Sequence, residues 1–199
     1  MSRKTLELEE PFFHNFECKH LDELPGEVRR HYYYPGGTTK GGRDGLIVQV
    51  RPRSSDPWIG TFAFGNLSPK GKNGLYTWPD PQMLCVVSQG QGYLVRVDEP
   101  TNYEMIKVDP VLDVVPVAAR KIVVFANHTE LIAYGKSGPV WVTDRLSWEG
   151  IKLTRVTADH IEGEVWDPRI EANVGFKVDL SNGRHEGGSY EELDDSLPL

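Results

Sequence analysis

Two arginines and a tryptophan crowd one proline-stiffened stretch, Arg51-Pro52-Arg53-Ser54-Ser55-Asp56-Pro57-Trp58. A guanidinium grips a carboxylate or phosphate in a planar fork, and an indole offers apolar area to a partner. Pro52 and Pro57 limit backbone freedom, so less entropy is lost when the stretch engages something. A second aromatic stretch, Gly74-Leu75-Tyr76-Thr77-Trp78-Pro79-Asp80-Pro81, has the same character. Trp, Tyr and Arg are the residues enriched in binding hot spots. The competing role is structural, because a tryptophan at the end of a β core covers much area while its N–H finds a partner. Arg51, Arg53, Trp58, Tyr76 and Trp78 are the expected binding residues.

Metal and acid–base chemistry have thinner support. His14-x-x-x-Cys18-x-His20 is the one compact set of metal-capable side chains. A structural zinc needs a fourth ligand and a catalytic zinc a third plus open water. His31, Cys85, His128, His160 and His185 are scattered, so no metal and no other cofactor is expected. No Gly-x-Ser-x-Gly elbow occurs, and Ser54, Ser55, Ser88 and Ser137 sit in turn-like contexts. Asp159-His160 falls at the tip of a predicted hairpin, where both read as solvated turn residues. No catalytic residue is assigned. Gly65 to Gly71-Lys72-Asn73 has one spacer too many for a phosphate loop, and Asn where Ser or Thr binds magnesium.

Bulk charge narrows the partners. The net charge is −7, but five of the 29 acidic residues follow the last basic one, Arg184, which leaves 24 acids against 22 bases. A nearly neutral body without a basic stripe argues against nucleic acid. No run approaches the ~20 apolar residues of a membrane span, and Met1 to Glu10 carries acids where an export signal needs an apolar core. Cys18 and Cys85 are 67 positions apart, and the latter sits in an apolar run, which suits free thiols in a reducing compartment. A cytoplasmic location is expected.

The elements that must position these residues are strands. Residues 1–45 read as an irregular segment with a helical turn or two before a glycine-rich loop, with Tyr32-Tyr33-Tyr34 as a short strand. Residues 46–190 read as an all-β domain, and the acidic stretch 191–199 as a disordered tail. Trp58, Gly60, Phe62 and Phe64 alternate onto one face, and Val114 to Val117, broken by Pro116, reads as an edge strand. Ile151 to Val156, Ile161 to Trp166 and Val174 to Leu180 form a meander. Asn182-Gly183 is its hairpin signal, with a type I′ turn expected. An internal echo recurs at 38 residues. Leu84-Cys85-Val86-Val87 and Tyr93-Leu94-Val95 align with Ile122-Val123-Val124-Phe125 and Leu131-Ile132-Ala133, and Tyr103 with Trp141.

The second echo, Val123-Val124-Phe125, Leu131-Ile132-Ala133-Tyr134, Gly138 and Trp141, resembles a blade of the pyrroloquinoline-quinone-enzyme type of β-propeller. That resemblance covers about 60 residues and implies blade-like architecture. The family's cofactor-binding pattern has no counterpart here, so no cofactor follows. Phe176 to Gly183 is similar to the ending of many uncharacterised bacterial β-proteins and implies no activity. The fold expected is an antiparallel meander forming a sandwich or partly closed barrel, with propeller-like blades as the alternative. The function expected is a non-catalytic binding or interaction module for an unidentified protein or small molecule. A small hydrolase or metal-dependent enzyme built on the scattered histidines is the competing class.

Overall fold

A computed structural model describes residues 6–36, 44–65 and 71–190. The glycine-rich stretch 37–43 and the acidic stretch 191–199 singled out above lie outside the described residues. Strands β1 (Leu8–Glu9), β2 (Phe16–Leu21), β3 (His31–Tyr34), β4 (Gly45–Pro52) and β5 (Trp58–Ala63) open the chain. Then come β6 (Gly74–Thr77), β7 (Met83–Ser88), β8 (Gln91–Arg96), β9 (Tyr103–Met105) and β10 (Asp113–Val117). A 3-10 turn, Ala118–Arg120, leads into β11 (Ile122–Ala126), β12 (Leu131–Gly135) and β13 (Gly138–Val142). The chain closes with β14 (Lys152–Val156), β15 (His160–Asp167), β16 (Ala172–Asp179) and β17 (His185–Gly187). The protein is all-β.

Four sheets result, in the orders β2-β4-β5-β3, β1-β6-β7-β8-β9, β10-β11-β12-β13 and β14-β15-β16-β17. They pack face to face in series, and none closes on itself. One core lies between the first and second sheets (Val48, Val50, Trp58, Phe62 against Leu84, Val86, Tyr93, Val95). A second lies between the second and third (Cys85, Val87, Leu94 against Val123, Phe125, Ile132). A third joins the third and fourth (Val124, Ala133, Trp141 against Ile161, Phe176, Val178). The packing is that of a sandwich repeated three times, between two mixed sheets of four and five strands and two four-stranded antiparallel meanders.

Sequence texture follows position in the stack. The central strands of the inner sheets are buried on both faces, so β11 and β12 are apolar throughout. The outer sheets face solvent on one side, and β4 and β15 alternate at period 2. The 38-residue echo marks equivalent strands but misses their register by one. Leu84, Val86, Tyr93 and Val95 face the first core as Val123, Phe125, Ile132 and Tyr134 face the second, an offset of 39. A one-residue slip sends every side chain to the opposite face, and only 39 keeps the facing.

The described residues before β4 contribute three strands, two to the first sheet and one to the second. β2 pairs antiparallel with β4, β3 parallel with β5, and β1 parallel with β6 of the second sheet. Residues 22–30 form bends with no helix. The Asn182-Gly183 turn also departs from the type I′ expectation. It lies within a five-residue connection, 180–184, where Gly183 alone has a positive φ, 76°. A Cβ there would stand 2.8 Å from the Trp141 ring, so the glycine lets the indole pack.

Trp58 tests the first core directly. It is 1% exposed and donates its indole N–H to Val97 O at 2.8 Å across the sheet interface. Trp58→Ala is expected to cost about 3–5 kcal/mol in a denaturant melt, as large core truncations do. Phe64, which follows the strand and is exposed, is the control, and Phe64→Ala is expected to change stability by less than about 0.5 kcal/mol.

Candidate functional site

The chain crosses from β1 in the second sheet to β2 in the first through residues 10–15, and that crossing builds one wall of a groove. It is pinned on both sides. Phe12 N donates to Thr77 Oγ1 (3.1 Å) and Asn15 N to Pro81 O (3.1 Å), both on the second sheet's side. Arg53 N, just past β4, donates to Asn15 O (3.1 Å). The enclosed groove has a volume of about 620 Å³ and is walled by Phe12, Phe13 and His14 on one side and Arg51, Pro52 and Arg53 on the other. Neighbouring positions in the crossing point opposite ways. Phe12 packs against the second core, while Phe13, 74% exposed, is the most open large apolar side chain among the described residues.

Arg51 and Arg53 are both exposed, and neither guanidinium has a hydrogen bond or ion pair among the described residues. Glu17 stands opposite Arg51 in the β2–β4 ladder without closing a salt bridge. The last sheet's outer face is different. There Lys152 reaches Glu164 (3.3 Å), Arg155 reaches Glu162 (3.9 Å) and His160 reaches Glu162 (3.0 Å).

The five residues singled out in the sequence divide sharply. Arg51 and Arg53 line the groove together. Trp58 sits in the first core, and Tyr76 and Trp78 in the second, both at 0% exposure. These three aromatics are packing residues whose rings present no surface to a partner. Burial pushes the Tyr76 hydroxyl well above the ordinary phenol range. Phe13 escapes the sequence reading because a Phe-Phe pair gives no sign of which ring turns outward.

A larger cleft, about 750 Å³, opens at the opposite end of the first sheet, where Leu21, Tyr33, Ile47 and Thr61 meet Asp22 and Asp44. His20 also lines it, with Nδ1 buried and lacking a protein partner. Thr61 Oγ1 lies 2.8 Å from His31 Nε2. Burial holds His31 below its ordinary range.

Histidine chemistry elsewhere resolves into structure. Phe16, Cys18 and His20 alternate along β2 toward the first core, while His14 turns to Phe12 O (3.3 Å) and Glu10 (3.9 Å). Burial, reinforced by the negative charge of Glu10, pushes the Cys18 thiol up to about 12, so it stays protonated as a packing residue. Among the described residues no group of three or more His, Cys, Asp or Glu side chains converges on a metal position. Thr157, His160 and Glu162 imitate a nucleophile–base–acid relay, with Thr157 Oγ1 3.2 Å from His160 Nδ1 and His160 Nε2 3.0 Å from Glu162. The hydroxyl, however, accepts the backbone N–H groups of Asp159 (3.2 Å) and His160 (3.0 Å) and lies 3.0 Å from His160 O. It locks the β14–β15 hairpin, as Ser and Thr do in tight turns, and its lone pairs are committed.

No family model and no curated protein matches this chain. Among solved structures, a chain from an S. cerevisiae complex of dbp5 bound to nup159, gle1, IP6 and ADP is similar at 12% identity with a TM-score of 0.42. The match covers 98% of this chain and 55% of that one, so this chain spans about half its length. At that TM-score the likeness bears on neither activity nor partners. Among the described residues no helix is long and apolar enough to cross a membrane.

Three groups set the response to acidification, one of them Asp179, held low by the side-chain and backbone hydrogen bonds of Ser181 and so acting in the same pH range as Asp167. His31, held below its ordinary range, stays neutral in the fold while the unfolded chain takes up the proton, so its contribution is present above about pH 6.5 and is lost as pH falls through that range. Asp167 is held low by the side-chain and backbone hydrogen bonds of Arg169, so its contribution is lost only when pH falls below the ordinary Asp range. Denaturation midpoints should fall in two stages on acidification. His31→Gln should flatten the first stage and Asp167→Asn combined with Asp179→Asn the second, and a variant that leaves its stage unchanged removes that assignment.

Proposed function

We propose that this chain is a non-catalytic, cytoplasmic binding or interaction module. It engages its partner through the groove between the residue 10–15 crossing and the end of β4. The observation that carries the reading is the pair of unpaired guanidinium groups, Arg51 and Arg53, beside the exposed ring of Phe13. Two planar cationic forks next to an apolar anchor match the composition of binding hot spots, and pinned walls reduce the ordering cost of association. The cytoplasmic reading is supported by two free cysteines, each in a buried or half-buried setting. The hydrolase alternative finds its best geometry at Thr157, His160 and Glu162, where the hydroxyl is already spent on the turn.

The test places a photo-crosslinking amino acid at position 13 of the full chain and irradiates it in extract of the native host. A covalent adduct is expected, and it should disappear when Arg51→Ala and Arg53→Ala are combined. The same probe at the exposed Trp166, on the last sheet, should yield no adduct of that mass. No adduct at position 13, or one indifferent to the arginines, would remove the groove as the binding surface. The double arginine variant should keep its denaturation midpoint, because exposed side chains without partners contribute little to stability.

A further inference from the structure

We infer that the cleft at the opposite end of the first sheet is a second binding site, and that it takes a small organic ammonium ion with an apolar body. It shares no lining residue with the groove beside Arg51 and Arg53, so the two sites stand or fall separately. At about 750 Å³ it has the size of clefts that hold small molecules, roughly 300–1,000 Å³. Strand pairing builds its floor. Leu21 on β2 lies opposite Ile47 on β4, Ile47 opposite Thr61 on β5, and Thr61 opposite Tyr33 on β3, one row across all four strands. The alternate residues Val48, Phe62 and Tyr34 turn into the first core, so this row faces outward. A floor carried on paired strands is held more precisely than one carried on loops.

The chemistry around that floor selects for positive charge. Tyr33 supplies an aromatic ring, and such a ring attracts a cation through its quadrupole. His31 fixes the ring's place, with centroids 4.3 Å apart, and is itself anchored to Thr61 Oγ1 at 2.8 Å. Asp22 directly follows β2 and Asp44 directly precedes β4, and both line the cleft. Neither carboxylate has a hydrogen bond or ion pair among the described residues, so both are free to accept N–H groups from a ligand. No Lys or Arg among the described residues lines the cleft, and His31, kept neutral by burial, adds no positive charge beneath it. The remaining walls decide what kind of cation fits. Leu21, Leu24, Ile47 and Phe64 offer apolar area, and Leu24 and Phe64 keep theirs exposed. Those side chains have nothing to give a bare metal ion, and among the described residues no three His, Cys, Asp or Glu side chains converge on one. They suit the hydrocarbon part of an amine, and a carboxylate ligand would meet two like charges instead.

Titrations of the full chain followed by NMR amide shifts test this with three probes of one shape: hexylammonium, 1-hexanol and hexanoate. Hexylammonium should shift the amides of Tyr33, Ile47 and Thr61 saturably. 1-Hexanol should bind about tenfold more weakly, about 1.4 kcal/mol, and hexanoate should leave those amides unmoved. Asp22→Asn combined with Asp44→Asn should cost hexylammonium about tenfold and leave 1-hexanol unchanged. The denaturation midpoint of that variant should stay where it was, because both side chains are exposed and unpaired. 1-Hexanol or hexanoate binding as tightly as hexylammonium, or a double variant that binds hexylammonium as before, overturns the ammonium reading. Shifts from no probe, or shifts confined to residues outside the cleft, overturn the site itself.

Discussion

Two-sided burial of the inner sheets is the constraint on which the rest of this structure depends. Once β7, β8, β11 and β12 have both faces covered, only the strand-end residues Met83, Gln91 and Arg96 keep partial exposure. The layers must then meet through apolar contact alone, unless polar groups at their margins find partners across the gap. Aromatic residues with polar tips do this. Trp58 N–H reaches Val97 O (2.8 Å), Tyr34 O–H reaches Pro100 O (2.8 Å) and Tyr93 O–H reaches Ala63 O (2.9 Å), all between the first and second sheets. Trp141 N–H repeats the device between third and fourth, donating to Leu180 O at 2.9 Å. Each ring adds buried area, and each hydrogen bond ties a strand end of one sheet to the backbone of the next, which sets their relative placement.

The same constraint displaces chemistry to the ends of the stack. Only the two terminal sheets have a free face, and they treat it differently. The last sheet pairs Lys152 with Glu164 and Arg155 with Glu162 across strands and carries a cleft of about 620 Å³ bordered by His160, Lys177, Arg184 and His185. The first sheet leaves the Arg51 and Arg53 side chains unpaired and borders clefts of about 750, 620 and 270 Å³ among the described residues. A stack of layers needs polar outer faces to stop further layers from adding. The first sheet meets that need with cations that have no internal partner. This surface is therefore a terminus of the fold, and it carries the groove beside Arg51 and Arg53.

How much of this could be read from sequence depended on whether the signal was local. The β texture was legible because period-2 alternation and uninterrupted apolar runs are properties of a few neighbouring residues. The echo was legible too, but in apolar runs such as Ile122 to Phe125 every register matches, so nothing in the sequence decided between 38 and 39. Facing decides it, and facing is tertiary. β2 was hidden by its chemistry. Phe16, Cys18 and His20 alternate inward and Glu17 and Lys19 outward, a strand pattern written in residues that also suggest a metal site. The aromatic stretches misled for a related reason. Trp58, Tyr76 and Trp78 carry the composition of a hot spot, and only burial separates a hot spot from a core.

The groove itself was beyond reach of any local reading, because its walls come from distant parts of the chain. β1 pairs with β6, so Leu8 lies beside Leu75, and β2 then returns to pair with β4, placing Phe16 beside Pro52. Strand pairing over such separations leaves no mark in a window of ten or fifteen residues. Once both pairings exist, residues 10–15 have to bridge two sheets, and their exposed side faces the end of β4. Phe13 and the two arginines are neighbours for that reason, although nearly forty residues separate them in sequence. The composition of the site was visible in Arg51-Pro52-Arg53, while its concavity and its apolar anchor belong to the topology.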